Sequence, residues 1–370
     1  MGIEFHIKLS LLRIIKLNIN IIIDYLIISA VVSLVTNLIA RNIANSKNVL
    51  VDLPDRSRKF HKRPTPLTGG IGILLGLLLS GKIYLDLNGL NGFMPIFTTN
   101  LILASGFLVL FFLIDDLYDI RAKYRLFAQC LFSYFIIHTT GISIESFGNL
   151  FGFGEIELGI MSIPVTIFCV IGVMNAFNMI DGINGLCAGS ALVMMLYTGF
   201  SSNLIYDSML ILLVGSMIGF LIFNLRIIGK QRTVFLGDHG SNFIGFMVAW
   251  IAIYATQNQT YDMNPITAVW FIAIPLLDCI ALIISRTMRG LNWAEPGRDH
   301  IHHKLMLKFS PEMSLVILIL ASSILSIFGI IMENNFNEYV SFYSFICFAG
   351  IYYFLFHYFI RTKRLSPADV

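Results

Sequence analysis

Four carboxylates stand where long apolar runs end: Asp115 and Asp116 in FFLIDDLYDI, Asp181 in NAFNMIDGINGL and Asp238 in VFLGDHGS. A chain this poor in charge has little structural reason to keep acids there. Gathered on one face, they could hold a divalent cation and handle phosphate. Asp115, Asp116 and Asp119 fall at the C-terminal end of a predicted helix, where the dipole disfavours each negative charge by roughly 0.3–1 kcal/mol. Adjacent carboxylates also repel. Something positive should compensate, either a cation or Arg121, Lys123 and Arg125; a solvated loop start is the plainer alternative.

Asn178, Asp181 and Asn184 recur every three residues, on one face if locally helical. Gly182 and Gly185 argue instead for an irregular turn that lets backbone approach a ligand. Such a polar break between apolar spans is tolerated where it is buried in protein or lines a wet cavity. Asp238 has a competing explanation, because it or Ser241 could simply cap the next helix. Phe235, by itself, reads as core as readily as a stacking platform. His300, His302 and His303 lie in a basic loop with Arg298 and Lys304. They lack HExxH spacing, and the surrounding positive charge opposes a metal. Phosphate or sugar contact fits them better, with a solvated basic loop as the alternative. Asp278 sits inside an apolar run, where an ionisable side chain is either packing polarity or function.

The elements that must carry these residues are membrane helices. The chain of 370 residues is 56% hydrophobic and only 13% charged, against about 25% charged in an ordinary soluble domain. That composition predicts an all-α, polytopic integral membrane protein, since a barrel would alternate polar and apolar residues. Eleven candidate spans lie near 21–40, 67–86, 95–114, 126–140, 158–176, 186–200, 208–225, 241–256, 266–286, 313–333 and 340–360. Lys and Arg crowd alternate loops, led by Arg41 to Arg63, Arg121 to Arg125, Arg226 to Arg232 and Arg286 to Lys308. The intervening loops hold none. The positive-inside rule then places the N-terminus outside and the C-terminus, all four aspartates and the His segment on the cytoplasmic side. Residues 1–20 form an expected interfacial extension, 21–360 one catalytic membrane domain and 361–370 a cytoplasmic tail. The net charge of +3 gives no case for nucleic acid. Cys130, Cys169, Cys187, Cys279 and Cys347 all fall in apolar runs and form no CxxC pair, so neither disulfides nor zinc are expected.

Five segments in order, VDLPDRSRKFHKRPTPLTGG, DDLYD, NAFNMIDGING, VFLGDHGS and DHIHH, resemble the polyprenyl-phosphate N-acetylhexosamine-1-phosphate transferases. The HIHH form is similar to the WecA-type GlcNAc-1-phosphate branch. The resemblance implies transfer of a sugar-1-phosphate, GlcNAc-1-phosphate first, from a UDP-sugar to undecaprenyl or another polyprenyl phosphate, with release of UMP; another UDP-N-acetylhexosamine or UDP-MurNAc-pentapeptide is the alternative donor. It implies Mg²⁺, or Mn²⁺ in its place, held by Asp238 and Asn178. Asp115, Asp116, Asp181, His300, His302 and His303 become catalytic positions. Phe235 would stack on uracil and Asn184 would pair with it. Arg125, Arg121 and Lys62 would meet substrate phosphates. Many bacterial relatives carry Asp at the position of Asn184; an amide still offers uracil a donor and an acceptor. Partners are then the UDP-sugar, the lipid acceptor, membrane lipids and a second copy of the chain in a homodimer. The location is the inner membrane. A transporter is the rival class, but it would place its polar site near the midplane, often between inverted repeats.

Overall fold

The computed structural model describes residues 2–54, 63–88, 95–261, 263–292, 297 and 299–362, with side chains from residue 20 to 357 except Tyr206. Among these residues helices carry the fold: α1 Gly2–Lys47, α2 Gly69–Asn88, α3 Ile96–Tyr118, α4 Ala122–Thr140, α5 Ser162–Ile180, α6 Leu186–Ser201 and α7 Ser208–Asn224. Then follow α8 Gly237–Gln257, α9 Pro265–Phe271, α10 Ala273–Met288, α11 Ile301–Met306, α12 Pro311–Asn335 and α13 Glu338–Thr362. Local chemistry sets several boundaries. Asp207 accepts from the N–H groups of Met209 and Leu210 at 2.9 and 3.3 Å and starts α7. Ser310 caps α12, which has Pro311 in its first turn. Asp119, at φ 50°, ends α3 in a left-handed turn.

The expected apolar runs are all helical, and they differ in what they could cross. Among the described residues six helices are long and apolar enough to span a membrane, and the bent pair α9–α10, broken by 80°, would make a seventh. With 16 residues, α6 is about 24 Å long, short of a hydrocarbon core of about 30 Å. α7, with 17 residues, is also short. α4 and α8 carry polar residues that lower their hydropathy. α1 runs unbroken from Gly2, so residues 2–20 continue the first helix.

α8 sits at the centre and packs on α2, α3, α5, α6 and α9. Phe243, Phe246 and Trp250 on α8 are fully buried, as are Phe112 on α3 and Phe177 on α5. Outer helices present apolar side chains outward, such as Phe107 and Leu110 on α3 and Ile351 and Phe354 on α13. That surface suits hydrocarbon rather than water.

A short antiparallel pair, Val51–Asp52 with Thr65–Pro66, precedes α2. Its second strand continues into a bridge between Leu67 and Phe235. Phe235 donates its N–H to the Pro66 carbonyl at 2.9 Å, and its own carbonyl accepts from Gly69 N–H at 2.9 Å. Gly70 is required here, because a Cβ on it would run into the Gly240 backbone. The TPLTGG and FLGDHGS segments are therefore one substructure: two helix starts laid side by side.

Candidate active site

The end of α3, the end of α5 and the start of α8 meet around Asp238. Asp115 has its side chain 2% exposed, whereas that of Asp238 is 47% exposed. Of these two, Asp238 presents the open carboxylate. Asp115 points inward: its Oδ1 accepts from Ile120 N–H at 2.8 Å. Its Oδ2 makes no hydrogen bond among the described residues and lies 3.5 Å from Arg125 Nη1. The same guanidinium nitrogen is 3.7 Å from Asp238 Oδ2. Arg125, one turn into α4, is thus the positive group expected to offset the carboxylate pair. Arg121 is exposed at the start of α4, and Lys123 lies over the Tyr124 ring.

Asp116 does something different. Its Oδ1 accepts from Asp238 N–H at 3.0 Å and its Oδ2 from His239 N–H at 3.3 Å. It also meets His239 Nδ1 at 2.5 Å. These are the orphan donors of the α8 N-terminus, so Asp116 caps that helix from α3. Neither Asp238 nor Ser241 is needed as a cap, which removes the bland reading of Asp238. Ile71 N–H points at His239 Nε2 from 3.3 Å. That contact makes Nε2 the acceptor and leaves the ring proton on Nδ1, toward Asp116. His239 is a structural member of the site that its place in the sequence did not reveal, beyond being a polar residue beside Asp238.

Asn178 donates to Asp238 Oδ1 at 3.2 Å and to Ser241 Oγ at 2.8 Å. Amide orientation follows from the network, and a flip turns Oδ1 toward the same carboxylate side. Asp181 follows α5 and reaches solvent. The protein mass around it, then the charges of Asp238 and Asp116, push its carboxyl up to about 7. Asn184 is half-buried in the same turn. Gly185 N–H donates to Asn224 Oδ1 at 2.6 Å, and Asn224 Nδ2 donates to the Val234 carbonyl at 2.9 Å. Asn224 therefore ties the NMIDGING turn to the half-buried Phe235.

The His segment closes against that turn. A Cβ on Gly182 would overlap the His302 ring. His302 is fully buried, and neither of its ring nitrogens makes a hydrogen bond among the described residues. Burial, with His303 and His300 beside it, holds its pKa well below the usual range. His300 Nδ1 meets Asp278 Oδ2 at 2.8 Å, and Asp278 Oδ1 accepts from Ile301 N–H at 2.8 Å. Asp278 is therefore the anchor of α11. Lys62 lies outside the described residues.

The donor set is one of hard oxygens. Among the described residues no three His, Cys, Asp or Glu side chains form a closed metal cage. Magnesium does not need one: it takes one or two carboxylates and fills its octahedron with phosphate and water. The half-open Asp238, the Asn178 amide beside it and the elevated Asp181 fit such a cation.

The sequence model of glycosyl transferase family 4 matches residues 97–256. An undecaprenyl-phosphate alpha-N-acetylglucosaminyl 1-phosphate transferase of Yersinia pestis is 36% identical over 304 residues, 80% of each chain. The chain belongs to glycosyl transferase family 4. A protein of the same name from Escherichia coli (strain K12) is 33% identical over 328 residues, 87% of this chain and 86% of that one. The stretch matched by the family model holds Asp115, Asp116, Arg125, Asn178, Asp181, Asn184, Phe235 and Asp238. The HIHH helix lies beyond it, and the fold brings that helix back against the matched stretch at Gly182.

Proposed function

We propose that this protein transfers N-acetylglucosamine-1-phosphate from UDP-GlcNAc to undecaprenyl phosphate and releases UMP. The observation that carries this reading is the convergence of Asp238, Asn178, Asp181 and Arg125 at one rim of an apolar bundle. The relatives named above supply the substrate pair. In the reaction a terminal oxygen of the lipid phosphate forms a bond to the sugar-bearing phosphorus of the donor. The bond from that phosphorus to the bridging oxygen breaks, and UMP keeps the electron pair.

Both attacking and leaving groups are phosphate oxygens. A phosphate monoester has a second pKa near roughly 6, so the acceptor is already largely dianionic at neutral pH. No strong base is required, which agrees with an Asp115 turned inward on Ile120 N–H and Arg125. Arg125 adds positive charge where the phosphates crowd. Asp238 and Asn178 would hold Mg²⁺, which offsets charge on the diphosphate. Asn184 offers uracil an amide pair and Phe235 a ring face. The His300–His303 helix, fixed by Asp278, borders the donor sugar.

The membrane placement belongs to the same proposal. Eleven helical crossings, with α9–α10 as one broken span, put the N-terminus outside and the site on the cytoplasmic face of the inner membrane. The lipid tail then stays in hydrocarbon while its phosphate meets water at the helix ends.

Purified protein with undecaprenyl phosphate, Mg²⁺ and a panel of UDP-sugars tests the reading, with UMP and lipid product followed by mass spectrometry. UDP-GlcNAc should be the preferred donor. Asp238→Asn should lower the Mg²⁺-dependent rate by at least about 100-fold, the scale for losing one charge-stabilising group. No UMP with any donor overturns the transferase reading.

A further inference from the structure

Three amides lie one helical turn deeper than three of the site residues. Gln129 follows Arg125 by four on α4, Asn242 follows Asp238 by four on α8, and Asn175 precedes Asn178 by three on α5. These spacings put each amide on the same helix face as its site residue. Gln129 and Asn242 are 2% and 3% exposed, so no water bathes them.

The amides are joined head to tail. Asn175 Nδ2 donates to Gln129 Oε1 at 3.3 Å, and Gln129 Nε2 donates to Asn242 Oδ1 at 2.8 Å. Asn242 Nδ2 donates to the Asp238 carbonyl at 2.9 Å. The chain is anchored at its far end as well, since Asn175 Nδ2 also donates to the Ile171 carbonyl at 2.8 Å. All donors point the same way, so each bond polarises the next. The chain crosses three helices and ends on the backbone of Asp238.

We propose that Gln129, Asn175 and Asn242 are positioning residues that set the spacing of Arg125, Asn178 and Asp238 and thereby the divalent-cation affinity of the site. An apolar layer would hold the helices together but would let them slide by small amounts. A hydrogen-bonded amide confines its partner to within about half an ångström, and in a bundle core a broken bond finds no water to replace it. The proposal rests on the reading of Asp238 and Asn178 as the cation site given above.

The test compares wild type, Gln129→Leu and the triple variant Gln129→Leu, Asn175→Leu, Asn242→Leu. Mn²⁺ serves as the probe, its binding followed by electron paramagnetic resonance and independent of turnover. Gln129→Leu removes the donor to the buried Asn242 Oδ1 and one acceptor of Asn175 Nδ2, and lowers Tm. The triple variant removes every member and recovers most of that Tm, because no buried polar group is left unsatisfied. Its Mn²⁺ Kd nonetheless stays weakened by about 10-fold, and kcat falls with it while KM for the donor changes little. A triple variant with wild-type Mn²⁺ Kd and kcat overturns the proposal. Should the triple variant fail to fold, Gln129→Met carries the test at a temperature where it is fully folded. Weakened Mn²⁺ binding there supports the proposal and unchanged binding overturns it. Wild type that binds Mn²⁺ but releases no UMP sinks the transferase reading alone. Wild type that binds no Mn²⁺ sinks the positioning proposal.

Discussion

Asp181 shows how much one carboxylate depends on its neighbours. Its pKa is pushed up to about 7 by surrounding protein and by Asp238 and Asp116, while an unfolded Asp titrates near 3.9. The folded, cation-free protein therefore binds more protons than the unfolded chain between about pH 4 and pH 7. Its stability falls as pH rises through that window. The expected outcome is a Tm in EDTA that declines from pH 5 to pH 7.5, with Asp181→Asn flattening the decline and Mg²⁺ abolishing it. Thermal unfolding in detergent at several pH values checks this, and a wild-type slope in Asp181→Asn would refute it. The special positions of Asp115, Asp181 and Asp238 were legible, because acids at the ends of apolar runs stand out. Asp116 was legible as an acid and not as a cap. Its targets on α8 are 122 and 123 residues away, and long-range capping leaves no local pattern. His239 was missed for the same reason.

At the scale of elements, the motifs work through the starts and ends of helices. Gly70 lets α2 meet α8, Asp116 joins α3 to α8, and Gly182 lets α11 meet the α5–α6 turn. The position of α11 depends on one further carboxylate. Asp299 receives Arg286 Nη2 at 2.5 Å, Arg286 Nε at 3.1 Å and Arg289 Nη2 at 2.9 Å. Partial burial works against its charge, but the two arginines win and hold its pKa down to about 2. The stability it contributes is present above about pH 4 and is lost only as pH falls through about 2. At neutral pH Asp299→Ala should cost about 2 kcal/mol, below the usual 3–5 for breaking a fully buried pair because Asp299 keeps some solvent contact. It should also slow turnover, since His300 and His302 begin the helix that Asp299 tethers. Calorimetry and UMP release check the two effects, and an unchanged rate would show that α11 is held by Asp278 alone. The basic loop with its three histidines was visible in the sequence. Its folding onto Gly182 was not, because that contact joins two motifs through a missing side chain.

At the scale of the whole molecule, a reading of apolar runs gives eleven crossings, whereas the length and composition of the described helices support six or seven. The difference lies in α4, α6, α7 and α8. α7 is buried along most of its length, and α8 from His239 to Ile251. Helices wrapped by other helices meet protein rather than lipid. They can be shorter than the bilayer, and α8 can carry His239 and Asn242 without exposing them to hydrocarbon; α4 instead faces outward with Phe127 and Leu131 and turns Gln129 inward. Hydropathy tests are calibrated on the lipid-facing case, so the buried α7 and α8 fail them, although α3 and α5, which also supply the site, pass. The proposed orientation rests on the distribution of Lys and Arg and can be measured. Phe153, 95% exposed in the loop between α4 and α5, should face outside, and the exposed Lys230 between α7 and α8 should face the cytoplasm. With the five native cysteines replaced, Phe153→Cys should react with a membrane-impermeant maleimide added to intact cells. Lys230→Cys should react only after permeabilisation. The reverse pattern would invert the protein and move its phosphate site to the outer face. Equal labelling of both from outside would mean that the segment from α5 to α7 returns to the side it left, so that α6 and α7 do not form separate crossings.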